Sequence, residues 1–221
     1  LDPPYGLDTR LTNGNKNSSV GKSFAHYKSQ WDIKPPPEFW KQIFRISEIQ
    51  VVCGANYFDL PPSRGIIAWD KDQYMPSLSA WELIWTSLDK PAKIFKKRSQ
   101  DPDRFHPTQK PIELYDFIFD YIGAQQGDKV LDAHFGSASS VISAIENNLE
   151  ITAYESDPIT FNDAKNRITN HFAQLNAFRA TPIIKYQSFF CRKNLHHPEK
   201  CTEQCSECIK DQRWEYDIPL I

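Results

Sequence analysis

Strand, glycine turn, helix, strand and helix follow one another between residues 129 and 175, and this order constrains the fold more than anything else in the chain. Lys129-Val130-Leu131-Asp132 reads as a short buried strand, residues 138–148 as a helix, and Ile151-Thr152-Ala153-Tyr154-Glu155 as a second strand. Asp157-Pro158 then supplies a helix start, an acidic cap followed by a proline that suits the first turn. Two strands joined through a helix lie parallel, so the expected class is α/β. Upstream, residues 111–122 read as a helix with Ile112, Tyr115, Ile118, Phe119 and Ile122 on one stripe. Residues 38–46, entered through Pro35-Pro36-Pro37, read as another, with Phe39, Ile43 and Ile46 on one face. Short apolar runs at 49–54, 66–69 and 81–86 read as strands.

The chain has 221 residues, 40% of them hydrophobic, which suffices for one packed α/β domain with a short appendage. No run approaches the roughly 18 apolar residues of a membrane span, and the first residues lack the form of a signal peptide. The chain begins without Met inside an apparent strand-to-loop junction, so upstream sequence is expected. A net charge of −2 gives no general affinity for polyanions, which leaves local clusters. One is residues 10–28, with Arg10, Lys16, Lys22, His26 and Lys28 in a loop rich in Asn, Ser and Gly. The other is Lys93-Ile94-Phe95-Lys96-Lys97-Arg98. Either can be an ordinary solvated face. Five cysteines, four of them near the end, do not form a secreted disulfide framework, and a reducing, cytoplasmic setting is expected.

Two places carry chemistry. A parallel strand that runs into a tight glycine turn and a helix opens a ligand site at the sheet's carboxyl edge. Here the turn, His134-Phe135-Gly136-Ser137, has one glycine rather than the three of a dinucleotide fingerprint, and Asp132 would repel a phosphate. An acid at that place suits an ammonium group, as in the amino-acid end of S-adenosylmethionine. Glu155, closing the next strand, stands where a carboxylate can accept from two ribose hydroxyls. The alternative is a plain α/β turn capped by Ser137.

At the other end of the chain stands Asp2-Pro3-Pro4-Tyr5. An exocyclic amine on a base is a poor nucleophile because its lone pair is delocalised. Acceptors for its two hydrogens, the Asp2 carboxylate and the Pro3 carbonyl, would localise that pair. Prolines hold such acceptors in place, and Tyr5 offers a ring face to an extruded base. Read alone, the motif is also a plausible simple turn.

Together with His106-Pro107-Thr108-Gln109-Lys110-Pro111, these motifs resemble those of the amino-methyltransferases of DNA, in the permuted order called the β group. Asp2–Tyr5 matches the catalytic DPPY motif, residues 106–111 the HPTQKP segment, and residues 132–139 the DPFxGSGT cofactor loop. Cys53-Gly54-Ala55-Asn56-Tyr57-Phe58 and Trp69-Asp70-Lys71 look like those of phage-type members. The resemblance covers roughly residues 1–175. It implies a Rossmann-like, S-adenosylmethionine-dependent fold, with a mostly parallel sheet and helices on both faces. It further implies a catalytic domain over 1–180, with a short DNA-recognition insertion within about 10–105. By this resemblance Asp2, Pro3, Pro4 and Tyr5 are catalytic, while His106, Thr108, Gln109, Lys110, Asp132, Phe135, Gly136, Ser137 and Glu155 hold the cofactor. Arg10, Lys16, Lys22, Lys28, Lys96, Lys97 and Arg98 then become the expected contacts to double-stranded DNA.

The implied activity is methylation of the adenine N6 amine, of the restriction-modification kind, by a homodimer if the habit of such relatives holds. Alternatives are a catalytically silent DNA-binding subunit, cytosine-N4 methylation and RNA adenine methylation. Two departures stand out: Ala133 replaces a proline, and Ala138 replaces the loop's second glycine, which restricts the backbone there. The Cys/His-rich tail, 185–221, lies outside the resemblance. Cys201, Cys205 and Cys208 with His197 offer four ligands to zinc, and free thiols are the alternative.

Overall fold

The computed structural model describes residues 2–7, 32–73, 79–99 and 104–176. The fold is α/β. Helix α1 (Pro37–Ile46) leads to strand β1 (Val51–Cys53), followed by β2 (Ile66–Asp70), β3 (Trp81–Thr86) and β4 (Lys93–Lys96). Then come α2 (Ile112–Ile122), β5 (Lys129–Asp132), α3 (Ser139–Glu146), β6 (Glu150–Ala153) and α4 (Pro158–Asn176).

The Rossmann-like unit is β5–α3–β6. Its strands pair parallel, Lys129 opposite Glu150 and Asp132 opposite Ala153. Beyond the strands the two chains stay joined: the Tyr154 N–H donates to the Asp132 carbonyl at 2.8 Å, and the Phe135 N–H to the Tyr154 carbonyl at 3.0 Å. The loop after β5 is therefore fixed against the end of β6. Asp157 caps α4, its carboxylate accepting from the Thr160 N–H at 2.7 Å.

The first four strands form a sheet in the order β1-β3-β2-β4. β3 runs antiparallel to both β1 and β2, while β2 and β4 run parallel. Pairing among the described residues is thus mixed rather than mostly parallel. β2 and β3 are connected too briefly for a helical crossover, and a short connection returns the chain antiparallel.

β4 is not evident in the sequence, where its lysines read as a basic surface run. Lys-Ile-Phe-Lys suits an edge strand, because charged residues there discourage further pairing. The expected strand at 49–54 is shorter, since Gly54 takes φ +65° and turns the chain into a 3-10 turn, Ala55–Tyr57. On α1 only Ile43 is buried. Ile46, expected on the same face, is exposed, and Phe39 and Trp40 make the inward contacts instead.

α2 buries Leu114, Tyr115, Ile118, Phe119 and Tyr121 against Ile67, Trp69 and Ile84 of the first sheet, with Val130 and Ile151 of the second packed on the same cluster. A second cluster joins Val141 and Ile142 of α3 to Ala164, Ile168 and Phe172 of α4. Among the described residues no helix is long and apolar enough to cross a membrane.

Candidate active site

The turn at Asp2–Gly6 is held from three sides. Pro3 is fully buried. The Asp32 carboxylate accepts the Gly6 N–H at 2.9 Å and the Leu7 N–H at 2.6 Å, fixing the exit of the turn. The Tyr5 ring stacks on Tyr57, with centroids 4.8 Å apart and planes 20° from parallel, and meets the edge of Phe58. At most one ring face is therefore left for a base.

Gly54 makes this placement possible. A Cβ there would lie 2.2 Å from Tyr5 Cζ, and its φ of +65° disfavours any other residue. Gly54→Ala is expected to cost about 2–5 kcal/mol, the sum of left-handed strain and overpacking. Denaturant unfolding measures the loss, and quenched or shifted Tyr5 ring resonances would report its displacement.

Tyr5 and Asp2 belong to a buried charge cluster. Lys110 Nζ, whose side chain is 4% exposed, lies 2.8 Å from each Asp2 carboxylate oxygen and 3.1 Å from Glu82 Oε1. The Tyr5 hydroxyl is 2.9 Å from Asp2 Oδ1, 2.8 Å from Glu82 Oε1 and 3.1 Å from Lys110 Nζ. Lys71 Nζ closes the group at 3.0 Å from Glu82 Oε2. Two acids and two ammonium groups leave the cluster neutral, which offsets much of the cost of burying them.

Burial pushes the Glu82 carboxyl up, but Lys110 and Lys71 overcome this and hold it at about 2. For Asp2 burial, reinforced by Glu82, outweighs Lys110, so its carboxyl sits above the usual range. Burial alone would lower the Lys110 ammonium. Asp2 and Glu82 reverse that, and it stays charged.

A cavity brings this turn together with the later motifs. It is lined by Asp2, Pro3, Pro4 and Tyr5, by His106, Thr108 and Lys110, and by Phe135, Gly136, Ser137 and Glu155. Segments far apart in sequence thus meet at the carboxyl ends of β5 and β6, where open α/β sheets bind ligands. The Lys110 carbonyl accepts the Ser139 hydroxyl at 2.6 Å, tying residues 106–110 to the start of α3.

Glu155 accepts the Gly136 N–H at 3.1 Å and the Asp157 N–H at 2.8 Å. Burial nevertheless raises its carboxyl above the ordinary range, with the backbone N–H groups opposing. Gly136 takes φ +52° and has open space where a Cβ would stand. Ala138 takes φ +66° and is fully buried, so the strain expected from replacing a glycine is present.

Two expected cofactor residues do not line the cavity. Asp132, expected to face an ammonium group, is buried. Its oxygens accept the Ser140 hydroxyl at 2.6 Å and the His134 N–H at 3.1 Å, so it braces the loop. Gln109 is also buried and accepts the Phe105 N–H at 3.2 Å.

His106 and His134 both line the cavity. Burial, with Arg104 adding to it, lowers His106 to about 4, and burial lowers His134 to about 4 against the pull of Asp132. Both are therefore neutral at neutral pH. The unfolded chain protonates them near 6.5 and the fold only near 4, so the stability they permit at pH 7 is lost as pH falls across that window. The expected loss is on the order of 3 kcal/mol for each at the acid limit. Denaturant midpoints between pH 7 and 4 measure it, and His134→Phe is expected to flatten the slope by one proton.

The remaining expected residues fall elsewhere. Lys96 and Arg98 face Asp72 at 3.0 and 3.8 Å, and Lys97 pairs with Glu113; none of the three lines the cavity. Arg10, Lys16, Lys22 and Lys28 lie outside the described residues, as do Cys201, Cys205, Cys208 and His197 of the expected zinc site. Among the described residues no group of His, Cys, Asp and Glu gathers to hold a metal ion. The sequence reading misses Asp32, Lys71, Glu82 and His134. Glu82 is one acid in an apolar strand, and its partners lie far along the chain. His134 sits inside the cofactor-loop motif itself, and its buried Nδ1 has no hydrogen-bond partner among the described residues.

No family model matches the chain, and no curated protein matches it significantly. Solved structures similar to it include the M1.HpyAVI–SAM complex, 20% identical with a TM-score of 0.43 over 61% of this chain and 85% of that one. M1.HpyAVI in a second structure is 21% identical, with a TM-score of 0.38 over 60% of this chain and 82% of that one. TTHA0409 from Thermus thermophilus, complexed with S-adenosyl-L-methionine, is 19% identical with a TM-score of 0.40, over 59% of this chain and 74% of that one.

Proposed function

We propose that the protein methylates the N6 amine of adenine in double-stranded DNA, with S-adenosylmethionine as methyl donor. The observation that carries this reading is the single cavity lined by Asp2, Pro3, Pro4 and Tyr5 together with His106, Thr108, Gly136, Ser137 and Glu155. An amine acceptor and a nucleoside-type site face one space.

The donor set fits the cofactor. Glu155, at the end of β6, is placed for vicinal hydroxyls, and the open space at Gly136 admits a ligand against the backbone. A neutral His106 puts no positive charge beside a sulfonium. The cofactor supplies an electrophilic methyl: a C–N bond forms as the C–S bond breaks, and that bond's electron pair stays on sulfur.

The chain's own residues act on the amine. Asp2 and the Pro3 carbonyl accept its two hydrogens and direct its lone pair at the methyl group. As the nitrogen becomes cationic, the Asp2 carboxylate stabilises it electrostatically, and the surplus proton leaves through Asp2 to water. Tyr5 packs the base. Asp132 and Gln109 brace the loops that form the walls.

The test is to react the whole chain with unmethylated duplex DNA and labelled S-adenosylmethionine, then digest the product to nucleosides. Label in N6-methyl-2′-deoxyadenosine is expected. Label in N4-methyl-2′-deoxycytidine would overturn the base assignment. Cofactor binding with no label in any base would overturn the enzymatic reading in favour of a silent DNA-binding subunit.

A further inference from the structure

We propose that Glu82 is a positioning residue, a second carboxylate that relieves Asp2 of its internal partners when an amine enters the cavity. This rests on the amine-methylating reading above.

The reason lies in the hydrogens available. Lys110 has three N–H bonds and the Tyr5 hydroxyl has one. Both groups reach Asp2, Lys110 at 2.8 Å to each oxygen and Tyr5 at 2.9 Å. An Asp2 that holds an ammonium and a phenol has few lone pairs left for an amine. Glu82 Oε1 stands within reach of the same two donors, 2.8 Å from the Tyr5 hydroxyl and 3.1 Å from Lys110 Nζ. The single Tyr5 hydrogen can serve one carboxylate at a time, and a rotation about its C–O bond moves it from Asp2 to Glu82 without loss of a bond. Lys110 can lean the same way.

Glu82 is fixed for this role. Its other oxygen is held by Lys71 at 3.0 Å, and Lys71 lies over the Trp69 ring. Its strand places it opposite Trp69 in β2. It does not line the cavity, so it acts through Tyr5 and Lys110 rather than on a ligand. The groups facing Asp2 are Lys110, Glu82 and Tyr5, with the buried Cys53 thiol and Tyr115 hydroxyl beyond them. Of these, Glu82 is the carboxylate whose charge opposes ionisation of Asp2.

Two readings on the whole chain test the proposal. The first is the titration of Asp2, followed by carbon-detected NMR with labelled aspartate and assigned through Asp2→Asn. Glu82→Gln removes the opposing charge, so the Asp2 midpoint is expected to move down. The second is the kinetics of methyl transfer. Glu82→Gln leaves Lys110 and Tyr5 committed to Asp2, so kcat is expected to fall by about tenfold or more while KM for DNA stays within about twofold. Glu82→Asp, which keeps the charge on a shorter arm, is expected to restore part of both, and Glu82→Met, which removes the charge at similar volume, takes the place of Glu82→Gln if that variant does not fold. An Asp2 midpoint that does not move, or a kcat within about twofold of the parent, overturns the role given to Glu82. A parent chain that transfers no methyl group overturns the proposed function instead, and the titration then decides the Glu82 inference by itself.

Discussion

Lys110→Met is expected to destabilise the protein by about 3–5 kcal/mol at neutral pH, the range for removing one partner of a buried ion pair. Methionine nearly matches the lysine in length, so little of the loss comes from packing. What is lost is the ammonium between Asp2 and Glu82, which lie 2.8 and 3.1 Å from it. Glu82 keeps Lys71, while among the described residues Asp2 keeps only the Tyr5 hydroxyl. The pH dependence distinguishes this from a packing defect. Without Lys110, burial holds the Asp2 carboxyl further above its unfolded value, and Glu82 loses the larger of the two cations that hold it low. The folded variant then binds more protons at Asp2 and Glu82 than the folded parent does, so its stability falls less steeply on acidification. The gap from the parent should narrow on acidification, whereas a simple cavity would cost the same at every pH. Denaturant unfolding of both proteins across pH 4–8 measures it.

Asp2→Asn is expected to lower the rate of methyl transfer by about 10²–10³-fold, the effect of removing one preorganised electrostatic group. Asparagine keeps the size and one carbonyl acceptor, so an amine can still be oriented. It cannot carry the negative charge that stabilises a nitrogen becoming cationic. Lys110 remains paired with Glu82 at 3.1 Å and the Tyr5 hydroxyl with Glu82 at 2.8 Å, so the fold is expected to survive. Cofactor affinity should change little, because the wall formed by Phe135, Gly136, Ser137 and Glu155 is untouched.

Local chemistry makes much of this legible in the sequence. The β5–α3–β6 unit, the stripe on α2 and the Asp157 cap are set by spacing and by nearest neighbours, and they stand where periodicity places them. The two ends of the cavity are also legible, because Asp2–Tyr5 and residues 106–110 are contiguous motifs whose chemistry can be read residue by residue. What escapes is what distance along the chain conceals. Glu82 and Asp32 act on residues 77 and 25–26 positions away, and no local pattern marks either. Asp132 sits at the strand end where a ligand contact is expected, but its buried carboxylate turns to Ser140 and the His134 N–H and does not line the cavity. The direction of one side chain decides that point, and a motif does not specify it. β4 escapes because lysines at an edge serve solubility as readily as they serve a polyanion.

Everything proposed for the cavity depends on whether the turn at Asp2 works on an amine beside a bound methyl donor. Single-turnover transfer from labelled S-adenosylmethionine to unmethylated duplex DNA, at saturating cofactor, tests this in the parent and in Asp2→Asn. The expected result is label on adenine with the parent and a rate about 10²–10³-fold lower with the variant, at similar cofactor affinity. Transfer at the parent rate by Asp2→Asn, or no transfer by a parent chain that binds the cofactor, would contradict it.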